Sequence, residues 1–237
     1  MLMKKDKQLK LTKEDFEKLM KYVETHGKDE KFDAIQQIIA KRGNVAQIYK
    51  FAKIEGADIE VLSQAMAEEA CQQLRYINHK LIKSNHRFSR YNSNDLYSTV
   101  GNIYRLIYRF AKDIEGADIE VLSQAVAKTK VPDFIFEVAK IEGADIEVLS
   151  QAMAETKHAR LIEEFAKDIQ GADIAVLTEG MAKTKNPELI LSFAREIKGA
   201  DIAVLTKAMA KTKNPVLILS FAREIKGADM AVLTNST

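Results

Sequence analysis

The chain has one cysteine, three prolines and no tryptophan in 237 residues. A single Cys71 closes no internal disulfide, which argues against a secreted disulfide scaffold and fits a reducing, cytoplasmic setting. No apolar run approaches the roughly 20 residues that a membrane span requires, so no membrane partner is expected. The basic stretch from Met1 to Lys10 leads into Leu11-Thr-Lys-Glu-Asp15 rather than an apolar region, so no signal peptide is expected either. Charge of one sign is also missing. Against 34 acids stand 36 Lys and Arg, and this near balance argues against a strongly acidic nucleic-acid mimic. Apolar residues make up 46%, too many for a disordered chain. A folded chain of this length buries roughly 70% of its unfolded surface and needs no staples.

What the sequence has in abundance is itself. Gly-Ala-Asp begins at Gly56, Gly116, Gly143, Gly171, Gly199 and Gly227, with steps of 60, 27, 28, 28 and 28 residues. The segment Phe193-Ala-Arg-Glu-Ile-Lys-Gly-Ala-Asp-Ile-Ala-Val-Leu-Thr206 recurs from Phe221 and, in part, from Phe165. Each unit of about 28 residues reads as two short helices. Glycine at Gly199 takes the left-handed conformation that ends one helix, and Asp201 caps the next. From there Ile202, Leu205, Ala208 and Met209 share one helical face. The turn Lys211-Thr-Lys213 follows, then Asn214 as a second cap and Pro215 at the first helical position, where a missing N–H costs nothing. Leu217, Ile218, Phe221, Ala222 and Ile225 face inward on the second helix. Pro132 and Pro187 fill the same slot as Pro215.

Two such helices bury too little alone, and stacked copies build a continuous core. The expected fold is therefore all-α, a right-handed α-solenoid of helix-turn-helix repeats forming one domain over 1–237. An N-terminal capping helix is expected within 1–26, opened by Thr12 to Asp15 as a capping box. Repeats fill 27–69, with an imperfect copy between Gly27 and Gly56, and regular repeats fill 110–237. The slot held by Ala65, Ala125, Ala152 and Ala208, and by Gly180 in one copy, admits only small side chains, as close helix crossing demands. Between Gly56 and Gly116 two arrangements are open. The expected one is two degenerate units, with 70–109 a degenerate basic and aromatic repeat segment joined across a polar loop or frayed helix at Ser84 to Asp95; the alternative is a long helix from Asp58 to Lys83 forming a protruding hairpin, since no Gly or Pro interrupts it.

The pattern from Gly43 to Leu62, Gly-Asn-x-x-x-Ile-Tyr-x-Phe-Ala-Lys then Gly-Ala-Asp-Ile-x-x-Leu, resembles a short α-helical repeat found in proteins of bacteria and their phages. The resemblance covers most of the chain outside the first 25 or so residues and Ala70 to Val100. It implies architecture and no shared activity. A phage- or pathogen-encoded inhibitor of a host machine, such as a defence system, is compatible with it. The unit is shorter than tetratricopeptide, pentatricopeptide or Puf repeats, so their recognition codes do not transfer.

Function is expected where the repeat is least regular. Residues 70–109 carry seven Lys/Arg against the single acid Asp95, whereas the remainder is net acidic. The candidate partner-binding residues there are Arg75, Tyr76, His79, Lys80, Lys83, Arg87, Phe88, Arg90, Tyr91, Tyr97, Arg105 and Arg109. Basic side chains interleaved with aromatics suit an acidic protein surface or a single-stranded nucleic acid. Tyr104 and Tyr108 could equally pack as core, as Tyr49 is expected to. A second candidate is the row Lys128-Thr-Lys130, Lys183-Thr-Lys185 and Lys211-Thr-Lys213, which could track phosphates or merely answer the helix dipole. A third is a ladder taken to be exposed: Glu147, Ser150 and Gln151 with Ala175, Thr178 and Glu179 and with Ala203, Thr206 and Lys207.

Catalytic arrangements are not expected. Cys71 and His79 are eight residues apart, about 12 Å of helical rise, beyond proton-transfer reach. His79 and His86 lie seven apart rather than four, and His26 and His158 are remote, so no metal is expected, and no cofactor. Cys71 reads as a small buried apolar residue. The sequence thus points to a non-enzymatic binding protein with a protein partner, nucleic acid as the alternative, or to a structural module. The end of the sequence, Met230 to Thr237, with no second helix to cover its apolar side, is expected to allow weak self-association.

Overall fold

The computed structural model describes residues 10–83 and 90–234, with the side chains of 75 and 77–100 outside that description. Among the described residues the chain is all-α, with fourteen helices and no strand. It divides into two compact units, 1–125 and 126–237.

The first unit contains α1 (Lys13–His26), α2 (Phe32–Arg42), α3 (Val45–Phe51), α4 (Ile59–Lys83), α5 (Arg90–Asp113) and most of α6 (Ile119–Ala127). Thr12 caps α1, its hydroxyl oxygen accepting from the Asp15 N–H at 3.1 Å, but the expected capping box is only half formed: the Asp15 carboxylate accepts from the Thr12 hydroxyl at 2.7 Å rather than from the Thr12 N–H. The imperfect repeat between Gly27 and Gly56 is a real helix pair. Asn44 and Gln47 form a full capping box on α3, and Ile39, Ile48 and Phe51 are completely buried. Tyr49 is buried too, and its hydroxyl donates to Asp113 at 2.8 Å. Between Gly56 and Gly116 the structure has α4 and α5, of 25 and 24 residues, packed on each other. This is the long-helix arrangement in place of four short helices. With no Gly or Pro between Ala57 and Gly101, α4 has nothing to end it, and a Cβ at Gly101 would meet open space. The junction residues 84–89 lie outside the described residues.

The second unit contains α7 (Pro132–Val138), α8 (Ile146–Thr156), α9 (Ala159–Asp168), α10 (Ile174–Thr184), α11 (Pro187–Glu196), α12 (Ile202–Ala210), α13 (Pro215–Glu224) and α14 (Met230–Thr234). Its packing follows chain order. The first helices lie on one another from α8 through α10 and α12 to α14, and the second helices do so from α7 through α9 and α11 to α13. Every Gly-Ala-Asp glycine has positive φ, Gly199 at 87°, and Asp145, Asp173 and Asp201 each accept from N–H groups of the following turn. Asn186 and Asn214 cap α11 and α13, with Pro187 and Pro215 at the first helical position. Where the repeat lacks this pair, the His158 ring caps α9, accepting from the Leu161 N–H at 3.4 Å.

The small-residue slot has a direct cause. A Cβ on Gly180 would stand 2.7 Å from both Cα and Cβ of Ala154, so α8 and α10 cross too closely for one. Gly180→Ala would gain about 1 kcal/mol of helix propensity and lose about 1–3 kcal/mol to overpacking against backbone that cannot yield. The expected outcome is a net loss of about 1 kcal/mol in urea unfolding, and a gain in stability would contradict the crossing.

Candidate functional site

In the first unit the basic and aromatic candidates are only partly in view. The side chains of Arg75, His79, Lys80, Lys83, Arg90, Tyr91 and Tyr97, and Arg87 and Phe88 altogether, lie outside the described residues. Of the remaining three, Tyr76 is 60% exposed on α4, and Arg105 and Arg109 are exposed on α5. Tyr104 and Tyr108 on α5 are half-buried, while Ile103, Ile107 and Phe110 carry the core face. The 3.6-residue period therefore puts Arg105 and Arg109, four apart, on the side turned to solvent. Arg109 is partly answered by Asp113, its Nε 4.0 Å from the carboxylate that also accepts from Tyr49. Cys71 is half-buried rather than fully so, with its sulfur 3.5 Å from the Ala125 carbonyl oxygen.

The ladder of first helices needs correction. Ser150, Thr178 and Thr206 are fully buried, not exposed. The Thr178 and Thr206 hydroxyls donate to carbonyls one turn back, at 2.7 Å each, while Ser150 Oγ accepts from the Asp173 N–H of the next repeat at 3.1 Å. Ser63 does the same for Asp118, and Gln36 for Asp58, which marks α2 as the first helix of a repeat. A hydroxyl reads as a surface group in sequence, and here those of Ser63 and Ser150 serve as register pins between copies, while those of Thr178 and Thr206 are satisfied within their own helices.

With those positions removed, a cleaner stripe remains. The exposed residues are Glu147, Gln151 and Glu155 on α8, Ala175, Glu179 and Lys183 on α10, and Ala203 and Lys207 on α12 with Lys211 at its C-cap. Spaced by four, they form one face of each helix. Because α8, α10 and α12 lie side by side, the face runs from acidic through mixed to basic.

The Lys-Thr-Lys turns share a geometry the sequence did not announce. Lys130, Lys157, Lys185 and Lys213 all have left-handed backbones, with φ of 55–58°. In each turn the preceding threonine hydroxyl donates back to a carbonyl, as Thr184 does to Met181 at 2.7 Å. All four lysines are exposed. Lys130 Nζ lies 3.0 Å from Glu155 of the next repeat. Hydrogen bonds from Lys130 and Gln151, with the nearby charges of Lys130 and Lys183, hold the Glu155 carboxyl below its ordinary range. Successive turns therefore form one contiguous edge.

Along the second helices runs an ion-pair ladder. Lys167 on α9 reaches Glu163 at 2.8 Å and Glu196 of α11 at 2.5 Å, and Arg195 in turn pairs with Glu224 of α13. Both pairings join the basic residue after Phe-Ala to the acid one repeat onward. Bonds to Glu163 and Glu196 raise the Lys167 pKa, and the bond from Lys167 lowers that of Glu196.

Among the described residues, no helix is long and apolar enough to cross a membrane, and no group of three His, Cys, Asp or Glu side chains is placed to hold a metal ion. No protein-family model matches the sequence, no curated protein matches it, and no solved structure matches the fold.

Proposed function

We propose that the chain is a right-handed α-solenoid that works without catalysis, holding a protein partner as a scaffold or steric inhibitor. The observation that supports this is the contrast between the two sides of the first helices in the second unit. Inward, the copies are nearly invariant: Leu149, Leu177 and Leu205, Met153, Met181 and Met209, and the small slot at Ala152, Gly180 and Ala208. Outward, the same helices carry Glu147, Ala175 and Ala203, then Gln151, Glu179 and Lys207. Packing fixes the first set and is indifferent to the second, so the graded charge is available to match a partner of uneven charge. In the first unit the exposed Tyr76, Arg105 and Arg109 supply an aromatic anchor type and two guanidinium groups suited to an acidic protein surface.

The test is affinity capture with the wild type, with Glu147→Lys/Gln151→Lys, with Lys207→Glu/Lys211→Glu and with Arg105→Glu/Arg109→Glu. The expected result is one protein retained stoichiometrically and lost, by at least about tenfold in affinity, in at least one charge variant whose thermal unfolding is unchanged. Failure of the wild type to retain any protein, or equal retention by all three variants, would overturn the reading.

A further inference from the structure

The two edges of the second unit solve one backbone problem in two ways. At the Gly-Ala-Asp edge, the residue with positive φ is glycine in every copy; at the opposite edge it is lysine in every copy, at Lys130, Lys157, Lys185 and Lys213. A left-handed conformation costs a side-chain-bearing residue about 1–2 kcal/mol that glycine does not pay. The dipole of the helix that ends there returns about 0.3–1 kcal/mol to a nearby cation. Folding alone is thus at best indifferent to lysine. Yet the neighbouring outward stripe changes in charge from copy to copy, while this position does not.

Three of the four lysines have a second lysine two residues earlier, Lys128, Lys183 and Lys211, each also exposed. The acids on the same edge are fewer: Glu155, engaged by Lys130, and Asp133 and Glu188 in the first turns of α7 and α11. The far edge holds the capping Asp145, Asp173, Asp201 and Asp229, about 14–16 Å away along the helices. Stacked helices stand 8–10 Å apart, so the lysines repeat at about that interval along a line.

An unvarying row of cations fits a ligand that itself repeats. A protein surface would be matched by varied side chains, as on the outward stripe, and base recognition would call for a series of aromatic platforms, whereas the four turns carry a single aromatic ring, His158, which is engaged in capping α9. We infer that the lysine edge of the second unit binds the phosphate backbone of a nucleic acid, without reading its bases. Binding there comes from counterion release, so it is weak at physiological salt and strongly salt-dependent.

The experiment measures fluorescence anisotropy of a labelled duplex of about 20 base pairs against the full chain at several salt concentrations. Lys130, Lys157, Lys185 and Lys213 are then changed together to glycine and, separately, to asparagine. Both residues tolerate the left-handed turn, so each variant should keep or raise the thermal midpoint. The expected result is wild-type binding at low salt, lowered at least about tenfold in both variants, with the slope of log affinity against log salt reduced by about 2–4. Absence of wild-type binding, or unchanged binding in both variants, overturns the inference. Equal binding of polyglutamate of similar length also overturns it, in favour of an acidic protein. Lys183 and Lys211 lie on both the edge and the outward stripe, but none of the four substituted lysines belongs to the stripe, and Glu147 and Gln151 do not belong to the edge, so the four-lysine variants and Glu147→Lys/Gln151→Lys test the two readings separately.

Discussion

Replacing Phe193 by alanine is expected to cost about 3–5 kcal/mol in urea unfolding, with the loss of amide protection confined to the second unit. Phe193 is completely buried in α11, a helix that packs on α9, α10, α12 and α13 at once. Its equivalents Phe51, Phe110, Phe165 and Phe221 are likewise completely buried, and the one copy with a smaller residue there, Val138, hides it equally well. A cavity at Phe193 would therefore sit between two neighbouring repeats, where neither can close it without parting from the next. Relief is available only by local unfolding. The contrasting variant is Val216→Ala, another apolar truncation, on a side chain that is 70% exposed on α13. It is expected to change stability by no more than about 0.5 kcal/mol. Equal costs at the two positions would mean that repeat-to-repeat burial of the phenylalanine row is not what holds the unit together.

The punctuation of this fold is legible in sequence because it depends on residue types with few alternatives. Glycine at positive φ, aspartate and asparagine at N-caps and proline at the first helical position each have a local cause, and all appear where the repeat places them. The crossing at Gly180 was legible for the same reason, since only a missing side chain fits 2.7 Å from Ala154. What escaped depends on context. Ser150, Thr178 and Thr206 look like surface residues until their hydroxyls are seen bonded inside the stack. Left-handed lysines carry no sequence signature, because lysine is a poor indicator of positive φ. The length of α4 was open because the absence of a stop signal permits a long helix without requiring it. For the candidate site, the period placed Arg105 and Arg109 outward and Ile107 and Phe110 inward, and only Tyr76 of the ten candidates between 75 and 97 has a described side chain.

Removing Lys167 should cost far more than removing the carboxylate it serves. The Glu163 side chain is only 8% exposed, held by Lys167 at 2.8 Å and by the Ser192 hydroxyl at 2.7 Å. Lys167→Met leaves that carboxylate buried with one neutral donor, and the expected cost is about 2 kcal/mol, below the 3–5 kcal/mol of a fully buried pair because Lys167 is partly exposed. Glu163→Leu removes the buried charge and keeps the volume apolar, and the repeat already accepts this choice, since Leu191 is buried at the equivalent place in α11. Lys167 would still pair with Glu196, so this variant should lie within about 0.5 kcal/mol of wild type or be more stable. The double variant should recover most of what Lys167→Met loses, a coupling that a thermodynamic cycle measures directly. The pH dependence follows from the shifts. Glu196 is depressed from 4.5, so its contribution is present above that value and fades as pH falls through the lower folded one. Lys167 is raised from 10.5, so its contribution is present below that value and fades as pH climbs through the higher folded one. Wild type should therefore hold a stability plateau between those limits that Lys167→Met lowers evenly, with the difference between the two proteins shrinking in acid. A difference that instead grows in acid would show that Glu196 and Lys167 do not share a proton-linked bond.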